Sequence, residues 1–342
     1  MAQSPQTAPI QTVKDAWWEP KIDRATLKGL MKRSNGPGFF FLAIWFSLLF
    51  VMGLAIHFTQ GSWLVVPSIL CYGIVLGFAY APSHECAHGT AFRTRWLNEA
   101  VFWLSSFIWV ESPTHRRFAH SHHHTYTWHW KVDAQMGYTN PVKLMTWFGD
   151  IIGLVEFWPR AKLTVRHASG RVLDRERVYL PDNQIPIMVR EARILLAGYL
   201  LLITWAIVGQ TWAPFLYFFI PRFTGAIGVY SFITTQHMAM QQDVYDHRLS
   251  TRSMTNSWLS RVLYWNMNYH IEHHLFPTIP FHALPALNEV IKDQLPEPSP
   301  SLLGAHIEIV QTILAQRRDP STHAYHPLPP GTGGAAPMNA TS

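Results

Sequence analysis

Two pairs of long apolar stretches set the fold that this chain can adopt. Residues 39–58 and 63–80 form one pair, joined by four residues, and residues 192–209 and 212–235 form another, joined by two. Each stretch is long enough to cross the hydrocarbon core of a bilayer as a helix, and linkers this short join antiparallel neighbours. The sequence therefore predicts an all-α integral membrane protein with a four-helix transmembrane stem built from two hairpins.

The composition supports a membrane protein. Hydrophobic residues make up 48% of the 342 residues and charged residues 14%, against about a quarter charged in soluble domains. The 15 tryptophans and 20 phenylalanines fit membrane interfaces, where aromatic residues concentrate. Positive residues on a cytoplasmic face would explain the net charge of +6, so no nucleic-acid partner is expected. The two cysteines, Cys71 and Cys86, lie in unrelated surroundings and predict no disulfide.

The distribution of positive residues predicts the orientation of the stem. Neither short linker contains Lys or Arg, whereas the regions outside the hairpins contain nearly all of them. Positive residues stay on the cytoplasmic side, so we expect a multi-pass protein of the cell inner membrane with its active site and both termini in the cytoplasm. The first 38 residues contain no short apolar segment with a cleavage site, so no cleaved signal peptide is expected.

The chain divides into six parts on this basis. They are a cytosolic N-terminal segment (1–38), a first transmembrane hairpin (39–80), a cytosolic or interfacial region (81–191), a second hairpin (192–235), a cytosolic C-terminal region (236–325) and a disordered tail (326–342).

Two segments do not follow the simple pattern. Residues 97–110 are apolar but too short to span, which favours a helix lying on the membrane face. Pro221 and Arg222 fall near the middle of the fourth span, where a charge is costly. Either the helix breaks there, or Arg222 has a buried acidic partner, or the span has other boundaries.

Eight histidines fall into three clusters outside the apolar stretches. The spacing is HxxxH once and HxxHH twice, and residues three and four apart share one face of a helix. Each cluster can present two or three imidazoles to one point, and a neutral imidazole is the most common metal ligand. Eight nitrogen ligands are too many for one metal ion and suit two. The predicted ligands are His84, His88, His120, His123, His124, His270, His273 and His274, with His122 as a bystander.

The ligand chemistry favours iron over zinc. Catalytic zinc takes three protein ligands and structural zinc four, often cysteines, whereas this chain offers no cysteine pair. Two iron ions bound by neutral nitrogen keep positions open for O2 as co-substrate, and with two electrons this suits oxidation of an unactivated C–H bond. A membrane zinc hydrolase or metal transporter stays as a distant alternative. A transporter would place ionisable residues inside its spans, and apart from Arg193 at the start of the third stretch only His57 and Arg222 lie there.

The clusters, their order, the hairpins between them and the segment NMNYHIEHHLFPTIP at 266–280 resemble the membrane fatty acid desaturase and hydroxylase superfamily. The resemblance covers residues 39–295. It implies a mushroom-like helical fold in which the stem carries a cytosolic helical cap, with a non-haem diiron site held by the eight clustered histidines.

The resemblance adds one further ligand. Family members often have a ninth histidine just after the last span, and His237 occupies that place. Some acyl-CoA desaturases also have an asparagine one turn before this histidine. Ile233 stands there in this chain, which argues against a close relationship with those enzymes.

A separate electron donor, such as a ferredoxin with its reductase, is also implied, because the chain has no haem domain and no cysteine set for an iron–sulfur cluster. Four arginines that could steer an acidic donor or contact lipid headgroups are Arg93, Arg95, Arg116 and Arg117. Four candidates for orienting imidazole N–H groups are Glu85, Asp133, Asn268 and Glu272.

The sequence therefore predicts an O2-dependent membrane diiron enzyme that introduces a double bond into a fatty acyl chain. Hydroxylation, ketolation and terminal decarboxylation are alternatives, because the iron ligands do not distinguish these outcomes. Membrane lipid surrounds the stem, and bulky stem residues are expected to set the depth of an acyl tunnel. The candidates are Trp45, Tyr72, Trp205 and Tyr230.

Overall fold

The computed structural model describes residues 16–333, except for the side chains of residues 154–157. This part of the chain is helical and contains no β-strand, which confirms the predicted all-α class. The α-helices are α1 (Arg24–Leu30), α2 (Gly36–Thr59), α3 (Val65–Gly77), α4 (Tyr80–His88), α5 (Arg95–Trp109), α6 (Pro113–Thr125), α7 (Leu144–Ile151), α8 (Leu154–Ala168), α9 (Asp174–Arg177), α10 (Ile185–Val208), α11 (Ile220–Thr224), α12 (Ala226–His237), α13 (His247–Ser250), α14 (Trp258–Leu263), α15 (His270–Leu275), α16 (Leu284–Ile291) and α17 (Leu302–Ala315).

Four helical segments in the described chain are long and apolar enough to cross a membrane, as predicted. They are Gly36–Thr59, Val65–His88, Asp182–Val208 and Phe215–His237. The second and fourth segments run on past the apolar stretches and end within the histidine-rich region. The stem therefore delivers His84, His88 and His237 directly from its own helices.

Small residues allow the two hairpins to pack closely. A Cβ built on Gly225 would lie 1.7 Å from the carbonyl oxygen of Gly73, so the backbones of the second and fourth spans touch at this point. Within the first hairpin, Nε1 of Trp45 donates a 2.7 Å hydrogen bond to the carbonyl oxygen of Val75. Close backbone contact of this kind is how membrane helices associate where apolar burial gives no advantage over lipid.

The fourth span is irregular around Arg222. A π-helical turn, Phe215–Phe219, precedes α11, and α11 gives way to α12 at Gly225. The buried Arg222 donates from Nε to the carbonyl oxygen of Ile108 at 2.7 Å, and its guanidinium lies 4.5 Å from the centre of the Trp109 ring. The fourth span is therefore irregular near Arg222 but continuous, and a backbone carbonyl and an aromatic face contact the charge.

The cap is built around the histidine-bearing ends of the stem helices. Helix α5 covers the predicted interfacial segment, with Phe102 buried against the cap while Trp96 and Leu104 are exposed. The C-terminal helix α17 buries Ile309 and Ile313 together with Met238, just beyond the fourth span. The cap and stem thus share a continuous packed interior.

The two ends of the described chain meet at Arg248. This buried arginine pairs with Asp246, and its guanidinium lies 3.4 Å from the centre of the Trp18 ring. It also donates to the hydroxyl of Thr332 at 3.0 Å and to the carbonyl oxygen of Gly333 at 2.5 Å. Residues 326–333 therefore differ from the disordered tail predicted from residue 326, and residues 334–342 lie outside the described part.

Candidate metal centre

Three helices present the histidine clusters to one another. Helix α4 ends at Gly89, whose φ of 68° is the left-handed conformation that closes a helix after His88. Helix α6 begins at Ser112, whose hydroxyl accepts a 3.2 Å hydrogen bond from the backbone N–H of His115. Helix α15 starts at His270 itself. Each cluster therefore lies in a single short helix, as the HxxxH and HxxHH spacing predicts.

Five of the predicted ligands form a first group. The nitrogens of this group lie within 4.8 Å of one another. Nε2 of His124 is 3.2 Å from Nε2 of His120 and 3.1 Å from Nε2 of His273. Two ligands at right angles, each about 2.1 Å from a metal ion, are about 3.0 Å apart, so these spacings suit a shared metal. The members are His84, His88, His120, His124 and His273.

The other four predicted ligands form a second group. His123, His237 and His274 offer nitrogens within 4.8 Å of one another. Nε2 of His270 lies 3.1 Å from Nε2 of His237 and 3.2 Å from Nε2 of His274, which adds a fourth imidazole. The groups adjoin, because the His124 and His274 rings are stacked with centres 4.2 Å apart. All nine predicted histidines, including His237, are thus brought together.

Hydrogen bonds fix the orientation of several imidazoles. Nδ1 of His123 bonds Oδ2 of Asp133 at 2.8 Å, Nδ1 of His120 bonds Oε1 of Gln135 at 2.9 Å, and Nδ1 of His237 bonds the Ser250 carbonyl oxygen at 2.9 Å. Each acceptor requires the proton on Nδ1. The lone pair of Nε2 is then free to bind a metal.

Asp133 is held ionised by its surroundings. Burial alone would raise its pKa, but the neighbouring His123 and the backbone N–H groups of Trp128 and Gln135 hold the pKa of this carboxyl below its ordinary value. An ionised carboxylate behind an imidazole raises the basicity of that ligand.

Burial keeps the cap imidazoles neutral. It lowers the pKa of each well below the ordinary histidine value, and the neighbouring imidazoles add to this effect. A neutral imidazole is the form that binds metal. This applies to His120, His124, His270, His273 and His274.

Unpartnered nitrogens also fit a metal site. Both ring nitrogens of His84 and Nε2 of His88 are buried and have no hydrogen-bond partner in the described chain. A buried polar atom without a partner is costly. A metal ion at the first group would accept one nitrogen lone pair from each of these imidazoles, so the donor set fits a metal bound by imidazole alone.

The other candidates for orienting imidazoles bind elsewhere. Oε1 of Glu85 accepts hydrogen bonds from Thr90 and from the Phe281 backbone, and Glu272 accepts from Ser253 and Asn288. The amide of Asn268 donates to the carbonyl oxygen of Met254. These residues brace the loops behind the histidines and do not orient them. His122 faces the rings of Tyr126 and Tyr179, which agrees with a bystander role.

A third cluster was not predicted. His115, His167 and Glu176 offer donor atoms within 4.8 Å of one another. Both nitrogens of His115 are engaged, Nδ1 by Glu111 at 2.9 Å and Nε2 by the Tyr179 hydroxyl at 3.1 Å, and Glu176 is paired with Arg166 and His167. Because protein groups already satisfy these atoms, the cluster is a network of ion pairs that joins α6, α8 and α9.

The predicted basic face is smaller than expected. Arg93 and Arg95 are exposed, and Arg117 pairs with Glu99 at 2.8 Å. Arg116 is only 4% exposed and lies inside the cap. The sequence placed it on the surface because charged residues seldom lie fully buried.

Nine imidazoles, of which seven are buried and those of His88 and His124 half-buried, lie at one end of a four-helix apolar stem, and this arrangement defines a membrane protein with a histidine-rich candidate metal site. The family model described as fatty acid desaturase matches residues 61–303, which is more than half of the chain. The chain therefore belongs to the fatty acid desaturase family. No curated protein matches it as a close relative.

Proposed function

We propose that this protein is an O2-dependent diiron enzyme that introduces a double bond into a fatty acyl chain. The proposal rests on the nine imidazoles that form two adjoining groups, one of five and one of four. Membership of the fatty acid desaturase family supports an acyl lipid substrate. Hydroxylation, ketolation and terminal decarboxylation could use the same ligands and differ in where the target carbon lies.

Each group of histidines would hold one iron ion, so all nine are proposed as ligands. With O2 and two electrons, bound iron supplies the oxidant for an unactivated C–H bond. The protein holds the imidazoles in place through Asp133, Gln135 and the Ser250 carbonyl. Burial of the ligands excludes water from the reacting carbon. In the described chain, Cys71 and Cys86 are both free thiols, and neither belongs to a metal-binding group.

Aromatic residues lead from the first group toward the stem. The Tyr80 ring lies 5.7 Å from His84, Trp109 lies 5.2 Å from Tyr80, and Tyr230 lies 5.4 Å from Trp109, as distances between ring centres. An acyl chain that reaches the first group from the stem would pass this column. Of the predicted depth-setting residues, Tyr230 is therefore the best placed, whereas Trp205 is 53% exposed on the outside of the stem.

Two open grooves lie on the first hairpin. One of about 320 Å³ is lined by Phe40, Ile44 and Val51, and one of about 350 Å³ by Met52, Leu64 and Cys71. Both are lined by span residues rather than by the histidines. They suit the tails of surrounding membrane lipids.

Electrons would come from a separate donor such as a ferredoxin with its reductase. The exposed Arg93 and Arg95 follow the first histidine cluster and offer a positive surface for an acidic donor. The active site and both termini are proposed to face the cytoplasm of a bacterial-type inner membrane, since the outer linkers carry no Lys or Arg. A reporter fused after Ser342 should then be cytoplasmic, and a tag at Gly61 accessible only from outside.

Two measurements test the proposal. Elemental analysis of the purified protein should give two irons per chain, and one zinc with little iron would contradict it. Gas chromatography–mass spectrometry of lipids from a host expressing the chain should show a new double bond that a His273→Ala variant does not produce. A hydroxyl or keto product would instead favour the alternative reactions.

A further inference from the structure

Arg116 is a buried arginine with two nitrogens, Nε and Nη2, that have no hydrogen-bond partner in the part of the chain that the structure describes. The side chain is 4% exposed, and neither Nε nor Nη2 has a hydrogen-bond acceptor within the described residues. Its guanidinium lies 5.0 Å from the centre of the Tyr80 ring. Burying the N–H groups of a charged side chain without hydrogen-bond acceptors is unfavourable. An anion at Nε and Nη2 would remove that penalty.

The neighbouring acid cannot fill this role. Glu111 lies just before α6, but its Oε1 accepts from His115 and its Oε2 pairs with Arg160. Burial alone would raise the pKa of Glu111, yet Arg160, the His115 hydrogen bond and the nearby charge of Arg116 hold it well below the ordinary value, although no hydrogen bond joins Glu111 to Arg116. Both oxygens of this carboxylate therefore already have hydrogen-bond or ion-pair partners other than Arg116. The adjacent Arg117 differs from Arg116 because it forms an ion pair with Glu99.

The position of Arg116 connects it to the first histidine group. Arg116 lies one helical turn before His120, and Tyr80 lies one turn before His84. Tyr80 contacts both the guanidinium and the His84 ring. Trp109 also packs on Tyr80, and its Nε1–H is buried without an acceptor in the described chain. Unused donors therefore collect around Tyr80, which is the pattern expected for a bound acceptor.

We propose that Arg116 binds the carboxylate of the substrate. The Nε–H and Nη2–H groups are parallel and match the two oxygens of a carboxylate. The carbonyl group of an ester or thioester is uncharged, so that group could not neutralise the guanidinium. The inference rests on the proposed function and specifies it further. The substrate enters as a free acid, and oxidation occurs toward its carboxyl end, because Arg116 and His84 contact the same ring.

The wild-type protein offers the first test. The iron-loaded full-length protein in detergent is heated with decanoate, decanol, methyl decanoate or acetate. A ligand that binds the folded state raises the unfolding temperature. We expect a rise with decanoate that neither decanol nor methyl decanoate gives. Equal rises with all three C10 compounds would overturn the proposal. A rise with acetate equal to that with decanoate would also overturn it, because it would indicate a site for small anions in general.

Variants at two adjacent arginines provide the second test. Binding of radiolabelled decanoate is measured for Arg116→Gln, Arg116→Lys and the control Arg117→Gln. We expect at least about tenfold weaker binding in Arg116→Gln, because a bidentate charged hydrogen bond is lost. Arg116→Lys should bind at an intermediate level and Arg117→Gln as the wild type. Unchanged binding in Arg116→Gln overturns the inference, and if that variant does not fold, Arg116→Lys and the wild-type comparison decide.

The outcomes separate this inference from the proposed function. If decanoate binds through Arg116 but no lipid or acid is desaturated, the proposed reaction fails and the carboxylate site holds. If new double bonds form in a host while Arg116→Gln binds decanoate normally, the reaction holds and the carboxylate site fails.

Discussion

The carboxylate of Asp133 accepts a 2.8 Å hydrogen bond from Nδ1 of His123, and both side chains are buried. This pair places a negative charge directly behind one imidazole of the second histidine group. In the described chain, the groups of donors around the two centres contain only histidines. Asp133 therefore places negative charge directly beside the second histidine group.

Asp133→Ala should weaken metal binding. Loss of a group that orients a metal-binding histidine lowers metal affinity by about 10–100-fold. Chelator titration of the purified protein should show earlier loss of one of the two irons. Asp243→Asn is the control, because Asp243 accepts a hydrogen bond from the Trp130 backbone and lies outside both histidine groups. Equal iron retention in the two variants would show that Asp133 does not act on the metal.

Neighbouring histidines give a matched pair for the ligand assignment. His123→Ala should abolish turnover and lower the iron content, because it removes a member of the second group. His122→Ala should keep most of the activity, since its ring faces Tyr126 and Tyr179. Both should insert normally, because insertion depends on the four apolar spans. An inactive His122→Ala protein with an active His123→Ala protein would reverse the assignment.

Gly225→Ala should destabilise the stem. The added methyl group would overlap the carbonyl of Gly73, and such overpacking costs about 1–3 kcal/mol. Thermal unfolding in detergent should show a lower midpoint. Gly29→Ala is the control, because a Cβ at Gly29 meets no atom within 4 Å and the residue lies within α1. That change should stabilise the protein by about 0.5–1 kcal/mol. A Gly225→Ala midpoint at or above the wild-type value would contradict the close helix contact.

Tyr230→Ala should shift the preferred acyl length upward. Tyr230 is buried against Trp109, and its removal opens space beyond the aromatic column. Each additional buried methylene is worth about 0.8 kcal/mol, or roughly fourfold in relative kcat/KM. Competition between acids of different length measures the shift. Trp205→Ala serves as the control because Trp205 is exposed. If Trp205→Ala changes the preference and Tyr230→Ala does not, the chain lies outside the helix bundle.

The sequence predicted the elements that local pattern controls. Stem helices follow from apolar length, and the imidazoles of α6 and α15 follow from their spacing within one helix. His237 needed the family resemblance, because it is a single histidine with no neighbour in sequence to mark it. Its place in the second histidine group is seen only in the fold, where its Nε2 lies 3.1 Å from Nε2 of His270.

Other features depend on tertiary packing that local sequence does not determine. Gln135 lies only two residues after Asp133 and close in sequence to His120, so the sequence could have suggested it as a further hydrogen-bond partner for a histidine. Only the fold shows that this partner is His120. Arg116 and Arg117 are adjacent arginines in one helix, and which of them faces the interior is set by neighbouring elements. The cluster of His115, His167 and Glu176 joins segments about 50 residues apart and has no motif in sequence.

The arrangement of the two histidine groups also orders events during biosynthesis. Each group takes members from both sides of the second hairpin: the first needs His84 and His273, and the second needs His123 and His274. Neither group can be complete until the ribosome has made the chain through residue 274 and all four spans have entered the bilayer. A metal ion could therefore meet a complete group only after that stage of synthesis, and a chain arrested before its second hairpin would offer a metal only the histidines of α4 and α6.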